Sequence, residues 1–234
     1  MGRVSIQIHT PAAPHLDNAF SYGLTGCKRV EHLIDIYREA RRKTGKTSGR
    51  VWIHLADILR AAVVLCHAIL EQVLRDLIAV EAEWTPEFLQ NIPLPGAKHT
   101  RADRFSLADV AAFKDRPASE IVCDAVWEHL SKRSFTQVAD VVEVLTMCRL
   151  DVAHYRKFFP AIQELMERRH HIAHTGDLEE DSPGRGKQMA RSISADRVAR
   201  WNRNVFDFIW ELSLITLRKR PNHAMQPTAG RSYA

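Results

Sequence analysis

The sequence lacks paired cysteines, long apolar runs and internal repeats. Its four cysteines, Cys27, Cys66, Cys123 and Cys148, lie far apart and form no Cys-x-x-Cys pair, so reduced thiols in the core or at the surface are expected. No apolar run approaches the roughly 20 residues that cross a bilayer. Residues 1–11 also lack the charged-then-apolar order of a secretory signal. We therefore expect a cytoplasmic protein that makes no contact with a membrane.

The charge balance of the chain excludes few classes of protein. The chain has 234 residues, of which 45% are hydrophobic and 26% are charged, and its formal net charge is +5. This composition suffices for one substantial core, and a single domain is expected. Mild basicity is compatible with a polyanionic partner, but most proteins with such a balance do not bind nucleic acid. Charge alone therefore raises the expectation of an RNA partner only slightly.

Apolar residues recur mostly at helical spacing, which predicts an all-α, single-domain helical bundle with a long central helix and a C-terminal amphipathic helix. The central helix is expected over about 53–83. Ser194 should cap the last helix, which ends before Pro221. Other helices are predicted around 30–37, after Pro86, Ser106 and Pro117, within 136–147 and from about 159.

The remaining segments are predicted to be loops or loose ends. Residues 1–27 are expected to be a loosely structured N-terminal segment, residues 28–220 to form the helical domain, and residues 221–234 to be a disordered tail. The basic stretch 41–50 and the mixed-charge stretch 176–192 are predicted to be solvated loops.

Residues 169–174, with the sequence Arg-His-His-Ile-Ala-His, suggest chemistry. Arg169 falls in the apolar stripe of its helix, where a guanidinium is unfavourable unless a carboxylate or phosphate compensates it. Gly176 predicts the helix end, which leaves His174 accessible on the last turn. A cation that holds a phosphate and an imidazole that moves a proton near neutral pH are the minimum for cleaving RNA at its own 2′-hydroxyl. The stripe consists of Ile162, Leu165, Met166, Ile172 and Ala173.

Three polar residues, His67, Glu71 and Arg75, recur every four residues along the otherwise apolar central helix. The carboxylate of Glu71 needs a partner in such surroundings, and two partners are possible. Glu71 pairs with Arg75 on the same helix face, or it reaches Arg169 on a neighbouring helix and fixes the orientation of that arginine.

The Arg-x4-His element with a polar residue directly after the arginine resembles the signature of HEPN domains (higher eukaryotes and prokaryotes nucleotide-binding), most of all the RiboL-PSP-HEPN group. In this chain the element runs from Arg169 through His170 to His174. The resemblance extends to the long helix over 63–71 and to the ending 172–176. By order of helices it covers roughly residues 50–218.

The resemblance implies a metal-independent endoribonuclease without a cofactor, with a site shared across a homodimer. It implies that His174 is the general acid or base, that Arg169 stabilises charge on the phosphate oxygens, and that His170 is an accessory polar residue. Glu71 would orient the arginine, and the RNA products would end in a 2′,3′-cyclic phosphate. The group's association with prokaryotic defence and toxin–antitoxin systems also implies an antitoxin or a neighbouring sensor as a partner.

Other interpretations of these residues stay open. Arg168 could take the place of Arg169, since it stands only one residue further from His174. The chain could also be a non-catalytic helical RNA-binding or protein-interaction module in which Arg169 and Glu71 are only a structural pair.

A metal site is a further alternative. His170 and His174 are four residues apart on a helix, and His171 or His154 could add a ligand. Against this interpretation, the glutamate that metalloproteases carry between two such histidines is absent.

The aromatic residues of the last helix and of the segment before the motif helix have two possible roles, core packing and base stacking. Trp201 and Phe208 fall on the apolar face of the last helix, so core packing is favoured over base stacking. Tyr155 and Phe158, just before the motif helix, are the better candidates for contacting a base. The separate histidines His32, His54 and His129 are expected to be solvated or satisfied within the core.

Overall fold

The computed structural model describes residues 13–45, 53–81, 86–96, 111–178 and 190–218. Within these ranges the regular structure is helical apart from one isolated β-bridge, between Leu178 and Ala190. The predicted all-α, single-domain helical bundle is confirmed. In the same ranges, no helix has both the length and the apolarity needed to traverse a membrane. The helices are α1 (Ala13–Lys43), α2 (Ile53–Glu81), α3 (Pro86–Leu89), α4 (Ala118–Ser131), α5 (Val138–Met147), α6 (Val152–Tyr155), a 3₁₀ turn (Arg156–Phe158), α7 (Phe159–Thr175) and α8 (Ala195–Arg218).

The core forms around α2, which contacts α1, α4, α5, α7 and α8. This arrangement explains why α2 is apolar on most of its circumference: partners cover it from several sides. The predicted long central helix is therefore confirmed, and it is described as far as Glu81. The predicted cap of α8 is also present, because the backbone N–H of Arg197 donates to Oγ of Ser194 at 3.3 Å. The buried face of α8 comprises Val198, Trp201, Val205, Phe208, Ile209 and Leu212.

The prediction for the N-terminal segment is wrong over residues 13–27. These residues form the first half of α1, and their apolar stripe is buried in the core. Gly23 and Gly26 belong to the same buried face, where an added Cβ would lie 2.7 Å from Val73 Cγ2 and 2.8 Å from Ile69 Cδ1 respectively. The glycines therefore permit close helix packing and do not break the helix. The rest of the predicted segment, residues 1–12, lies outside the described residues. Buried members of this stripe are Leu16, Ala19, Phe20 and Cys27.

Several local predictions hold. Helices begin close to the predicted positions at Pro86, Ala118, Val138 and Phe159. The basic stretch 41–50 differs in part, since its first three residues complete α1. The helix predicted from Ser106 lies mostly outside the described residues, and the tail 221–234 lies wholly outside them.

Four helix ends meet at one end of the bundle: the C-terminal ends of α1 and α7 and the N-terminal ends of α2 and α8. Arg38 on α1 bonds to Asp196 on α8, with Nη2 and Oδ1 3.1 Å apart. Arg60 on α2 bonds to Asp177, which follows α7, with Nε and Oδ2 2.8 Å apart. The motif at residues 169–174 lies at this end of the molecule, which we call the motif end.

Candidate functional site

Helix α7 carries the motif and has the predicted bounds. Pro160 stands in its first turn, where the missing backbone N–H of proline leaves no bond unmade. Gly176 ends the helix with a left-handed backbone, at φ 62°, and its N–H donates to the carbonyl of His171. The first part of the apolar stripe, Ile162, Leu165 and Met166, is buried.

Directly after the helix, Asp177 holds two arginines. Its side chain is 0% exposed, and its Oδ2 accepts from Arg60 Nε at 2.8 Å and from Arg168 Nη2 at 2.7 Å. The two arginine side chains are only 9% and 12% exposed. Buried charge therefore clusters at the end of the motif helix, but around Arg168 and not around Arg169, which the sequence had favoured. We call Arg60, Arg168 and Asp177 the arginine–aspartate latch.

The latch also fixes the chain where it returns toward α8. The carbonyl of Arg191 accepts from Arg60 Nη2 at 3.0 Å and from Arg168 Nη2 at 3.2 Å. In the other direction, the Arg191 N–H donates to the carbonyl of Asp177 at 2.7 Å. The stretch predicted to be a solvated loop, 176–192, is thus anchored at both ends, and its residues 179–189 lie outside the described residues.

Arg169 differs from Arg168 in its partners. It is half-buried and not fully buried, because the apolar stripe of α7 emerges from the core toward the end of the helix, where Ala173 is exposed. It lies close enough to His67 to lower the pKa of that imidazole. Among the described residues it has no hydrogen-bond or ion-pair partner. The guanidinium is therefore available to an anion that enters from outside.

The three polar residues of α2, His67, Glu71 and Arg75, bind the end of α4 and the loop that follows it. Glu71 Oε1 accepts from the N–H of Phe135 at 3.2 Å and from Arg75 Nη2 at 2.9 Å, and Arg75 donates to the carbonyls of Leu130 and Arg133. The alternative in which Glu71 pairs with Arg75 is thus observed. The other alternative, in which Glu71 reaches Arg169, is not observed among the described residues.

His67 completes this loop contact. Its Nε2 donates to the carbonyl of Phe135 at 2.8 Å, and its Nδ1 lies 3.9 Å from Glu71 Oε2. Burial lowers the pKa of His67 below its ordinary value of 6.5. The Phe135 carbonyl and Glu71 oppose this shift, and Arg169 and Arg75 add to it. The buried imidazole is therefore favoured in its neutral form.

Two imidazoles of the motif face solvent. His170 and His174 are both exposed, and their ring centroids lie 4.4 Å apart with a tilt of 43°. The predicted accessibility of His174 is confirmed. Because α7 stays helical through Thr175, Arg169 and His174 leave its axis in directions about 140° apart. Within one subunit, α7 therefore presents the Arg169 guanidinium on a different face from the imidazoles of His170 and His174.

The structure also shows the surroundings of the aromatic residues and of the histidine considered as a metal ligand. Tyr155 and Phe158 are buried in the core, so the prediction that they contact a base is wrong. Core packing of Trp201 and Phe208 is confirmed. His154, considered as a metal ligand, pairs with Glu211 of α8, with Nε2 and Oε2 2.8 Å apart. Within the described ranges, no three His, Cys, Asp or Glu side chains converge in a way that could hold a metal ion.

Comparison with known proteins does not extend this assignment. No protein-family model, no curated protein and no solved structure matches the chain. The functional argument therefore depends on the motif and on the geometry of the motif end.

Proposed function

We propose that this protein is a metal-independent endoribonuclease of the HEPN kind that cleaves RNA through its own 2′-hydroxyl. The observation that carries the proposal is the difference between the two adjacent arginines of α7. Arg168 is bound to the buried Asp177, whereas Arg169, which is also half-buried, has no ion-pair partner among the described residues. This difference favours Arg169 as the phosphate-binding cation, five residues before the exposed His174.

In the proposed reaction an imidazole of His174 accepts the proton of the ribose 2′-hydroxyl. The O2′ oxygen then attacks phosphorus, a P–O2′ bond forms, and the P–O5′ bond breaks as a second imidazole gives its proton to O5′. Arg169 stabilises the negative charge that develops on the non-bridging oxygens. The products are a 2′,3′-cyclic phosphate and a 5′-hydroxyl, and DNA is inert because it lacks the nucleophile.

A homodimer would supply the second imidazole and bring the cation to it. On one copy of α7, Arg169 and His174 point about 140° apart, and a second copy placed against the motif would set the arginine of one subunit beside the histidines of the other. Two exposed apolar residues, Val64 on α2 and Ala173 on α7, support a contact between the two copies at the motif. His170, whose ring centroid lies 4.4 Å from that of His174, would be the accessory polar residue beside it.

The biological setting is proposed from the resemblance alone. It places the enzyme in the cytoplasm, in a prokaryotic defence or toxin–antitoxin system in which an antitoxin or a sensor restrains the activity. Glu71 has a smaller part in this proposal than the resemblance implies, because its carboxylate is already bound by Arg75 and by the Phe135 N–H.

Incubation of the purified protein with a structured RNA in EDTA tests the proposal. We expect cleavage that persists in the chelator and leaves 2′,3′-cyclic phosphate ends. His174→Ala and Arg169→Ala should each reduce the rate by a factor of about 100 or more. His32→Ala, which changes an exposed histidine on α1, is the matched control and should retain full activity. Undiminished cleavage by His174→Ala, or no cleavage by the unmodified protein, would refute the proposal.

A non-catalytic interaction module is the second candidate, and the contacts of Glu71 favour it, because that carboxylate serves the fold. If Arg169 were only structural, Arg169→Ala would lower the unfolding free energy strongly. If the proposed role is correct, the substitution should change the unfolding free energy by less than about 1 kcal/mol, because no ion pair is lost. Urea denaturation of Arg169→Ala beside the cleavage assay separates the two candidates.

A further inference from the structure

An open cleft of about 440 Å³ lies between α7 and α8 beside the motif. Four arginines and one histidine line it, together with Trp201 and two glutamates. The lining does not include the three residues to which the resemblance gives a role in the Arg-x4-His element, Arg169, His170 and His174. It includes His171, which lies between them in the sequence. The charged residues of its lining are Arg168, Arg191, Arg197, Arg200, His171, Glu164 and Glu167.

The positive charges of the cleft are only partly compensated. Arg200 bonds to Glu164, with Nη2 and Oε2 2.5 Å apart, and Arg168 shares the single carboxylate of Asp177 with Arg60. Neither Arg191 nor Arg197 has a side-chain hydrogen bond or ion pair with the other described residues. The two guanidinium groups are therefore free to bind an anion in the cleft.

Crowding of like charge is evident at Arg168. Burial lowers the pKa of this guanidinium, Asp177 opposes the shift, and Arg60 and Arg191 lower the pKa further. A bound anion would relieve this repulsion, because each arginine would gain a charge-assisted hydrogen bond.

The cleft lies close to the exposed imidazole along α7. Glu164, Arg168 and His171 line the cleft from one face of the helix, and His174 follows His171 by three residues, about 60° around the helix axis from it. Side chains at this spacing have Cβ atoms about 5–6 Å apart. A ligand with phosphates at regular intervals could therefore place one phosphate at His174 and a neighbouring one in the cleft.

We propose that this cleft binds a backbone phosphate of single-stranded RNA, next to the phosphate that is cleaved. The inference rests on the proposed RNA substrate and adds a binding subsite to it. Arg191 and Arg197 contact the phosphate, while Arg168 and Arg200, held by Asp177 and Glu164, form the positively charged wall behind it. The hydrogen bonds that Arg191 and Arg197 donate are made by their backbone N–H groups, so changing their side chains removes no hydrogen bond or ion pair among the described residues.

The test measures RNA binding on a His174→Ala background, so that the ligand stays intact. Affinity for a labelled single-stranded RNA is followed between about 50 and about 200 mM salt. In the double variant Arg191→Gln/Arg197→Gln we expect weaker binding and a slope of log K against log salt that is shallower by about 0.7, the amount that one phosphate of a single strand accounts for. Arg29→Gln, an exposed position on α1, is the control and should leave both quantities unchanged.

A second readout locates the ligand. The indole N–H of Trp201, which donates to Glu164 Oε2 at 2.9 Å, gives a resonance that RNA should shift in the parent protein and not in the double variant. Inorganic phosphate and a 5′-mononucleotide are titrated separately. A double variant that binds RNA like the Arg29→Gln control overturns the inference, and so does a Trp201 shift caused by the mononucleotide but not by RNA. Cleft-dependent binding without any cleavage by the unmodified protein would remove the proposed nuclease and leave the subsite.

Discussion

Asp177 combines burial, a left-handed backbone and two ion pairs. It is fully buried, its backbone has φ 63°, and its carboxylate binds guanidinium groups from two different helices. A non-glycine residue at positive φ is uncommon, and Asp is among the residue types that tolerate it best. The carboxylate therefore compensates two buried charges from a strained backbone position, and the ordering of the motif end depends on it.

Asp177→Asn should lower the unfolding free energy by about 3–5 kcal/mol, because it leaves Arg60 and Arg168 without their shared charge partner. Urea denaturation with a constant m-value would measure the loss. Asp57→Asn is the matched control: Asp57 also pairs with Arg60, but its side chain is 55% exposed, so the expected loss is below about 1 kcal/mol. A loss for Asp177→Asn no larger than that of the control would contradict the importance of the latch.

His67 makes stability depend on pH. Its pKa is lowered by burial in the folded state, so between that lowered value and about 6.5 the unfolded chain binds more protons. Stability from this group is fully present above about pH 6.5 and is lost as the pH falls through the folded-state pKa. The slope should reach at most about 1.4 kcal/mol per pH unit.

His67→Gln checks this assignment, because its amide can still donate to the Phe135 carbonyl and cannot titrate. Unfolding free energies of the two proteins would be measured from pH 5 to pH 8, and their difference should lose its pH dependence above about pH 6.5. His129, whose pKa is also lowered by burial and then by Arg133 and Lys132, is unchanged in both proteins and cancels in the comparison. Parallel curves for the two proteins below pH 6.5 would show that another group is responsible.

At the scale of a single helix, α7 was predicted almost completely. Its start near Phe159 and its end at Gly176 follow from signals next to each other in the sequence: a proline in the first turn, an apolar stripe and a left-handed glycine. The first half of α1 was missed, although Leu16, Phe20 and Cys27 continue the helical spacing of the predicted helix that begins at Val30. Gly23 stands inside that stripe, and a glycine required by close packing cannot be told from a helix breaker without knowing the facing helix.

Gly23→Ala tests this explanation. The new methyl group would lie 2.7 Å from Val73 Cγ2, and valine is short and stiff, so α1 and α2 must move apart. Overpacking of about 1–3 kcal/mol should exceed the gain of about 1 kcal/mol in helix propensity, and thermal or urea denaturation should show a net loss.

Thr25→Ala, at an exposed position of the same helix, has no such clash and should raise stability by a few tenths of a kcal/mol. Val73→Ala should also be less harmful beside Gly23→Ala than alone, since the new methyl group occupies the vacated space. A Gly23→Ala protein as stable as Thr25→Ala would show that the helix contact is looser than described.

Across the whole molecule, the fold class could be predicted but the pairing of distant charges could not. Helical periodicity and composition are enough for an all-α bundle. The contact between Arg60 and Asp177, however, spans 117 positions in the chain, and no local pattern indicates it. The choice of Arg169 and His174 as site residues therefore stays a prediction from the sequence, and the sequence did not indicate the latch beside them or the arginines of the cleft. It also assigned the buried charge to Arg169, because helical phase cannot show that the stripe of α7 emerges from the core before the helix ends.

The bridge between Leu178 and Ala190 has a practical consequence. It holds residues 178 and 190 side by side, next to the arginine–aspartate latch, where the Arg191 N–H donates to the Asp177 carbonyl. A fluorophore attached to either bridged residue would therefore lie beside the motif end and could report the arrival of a substrate.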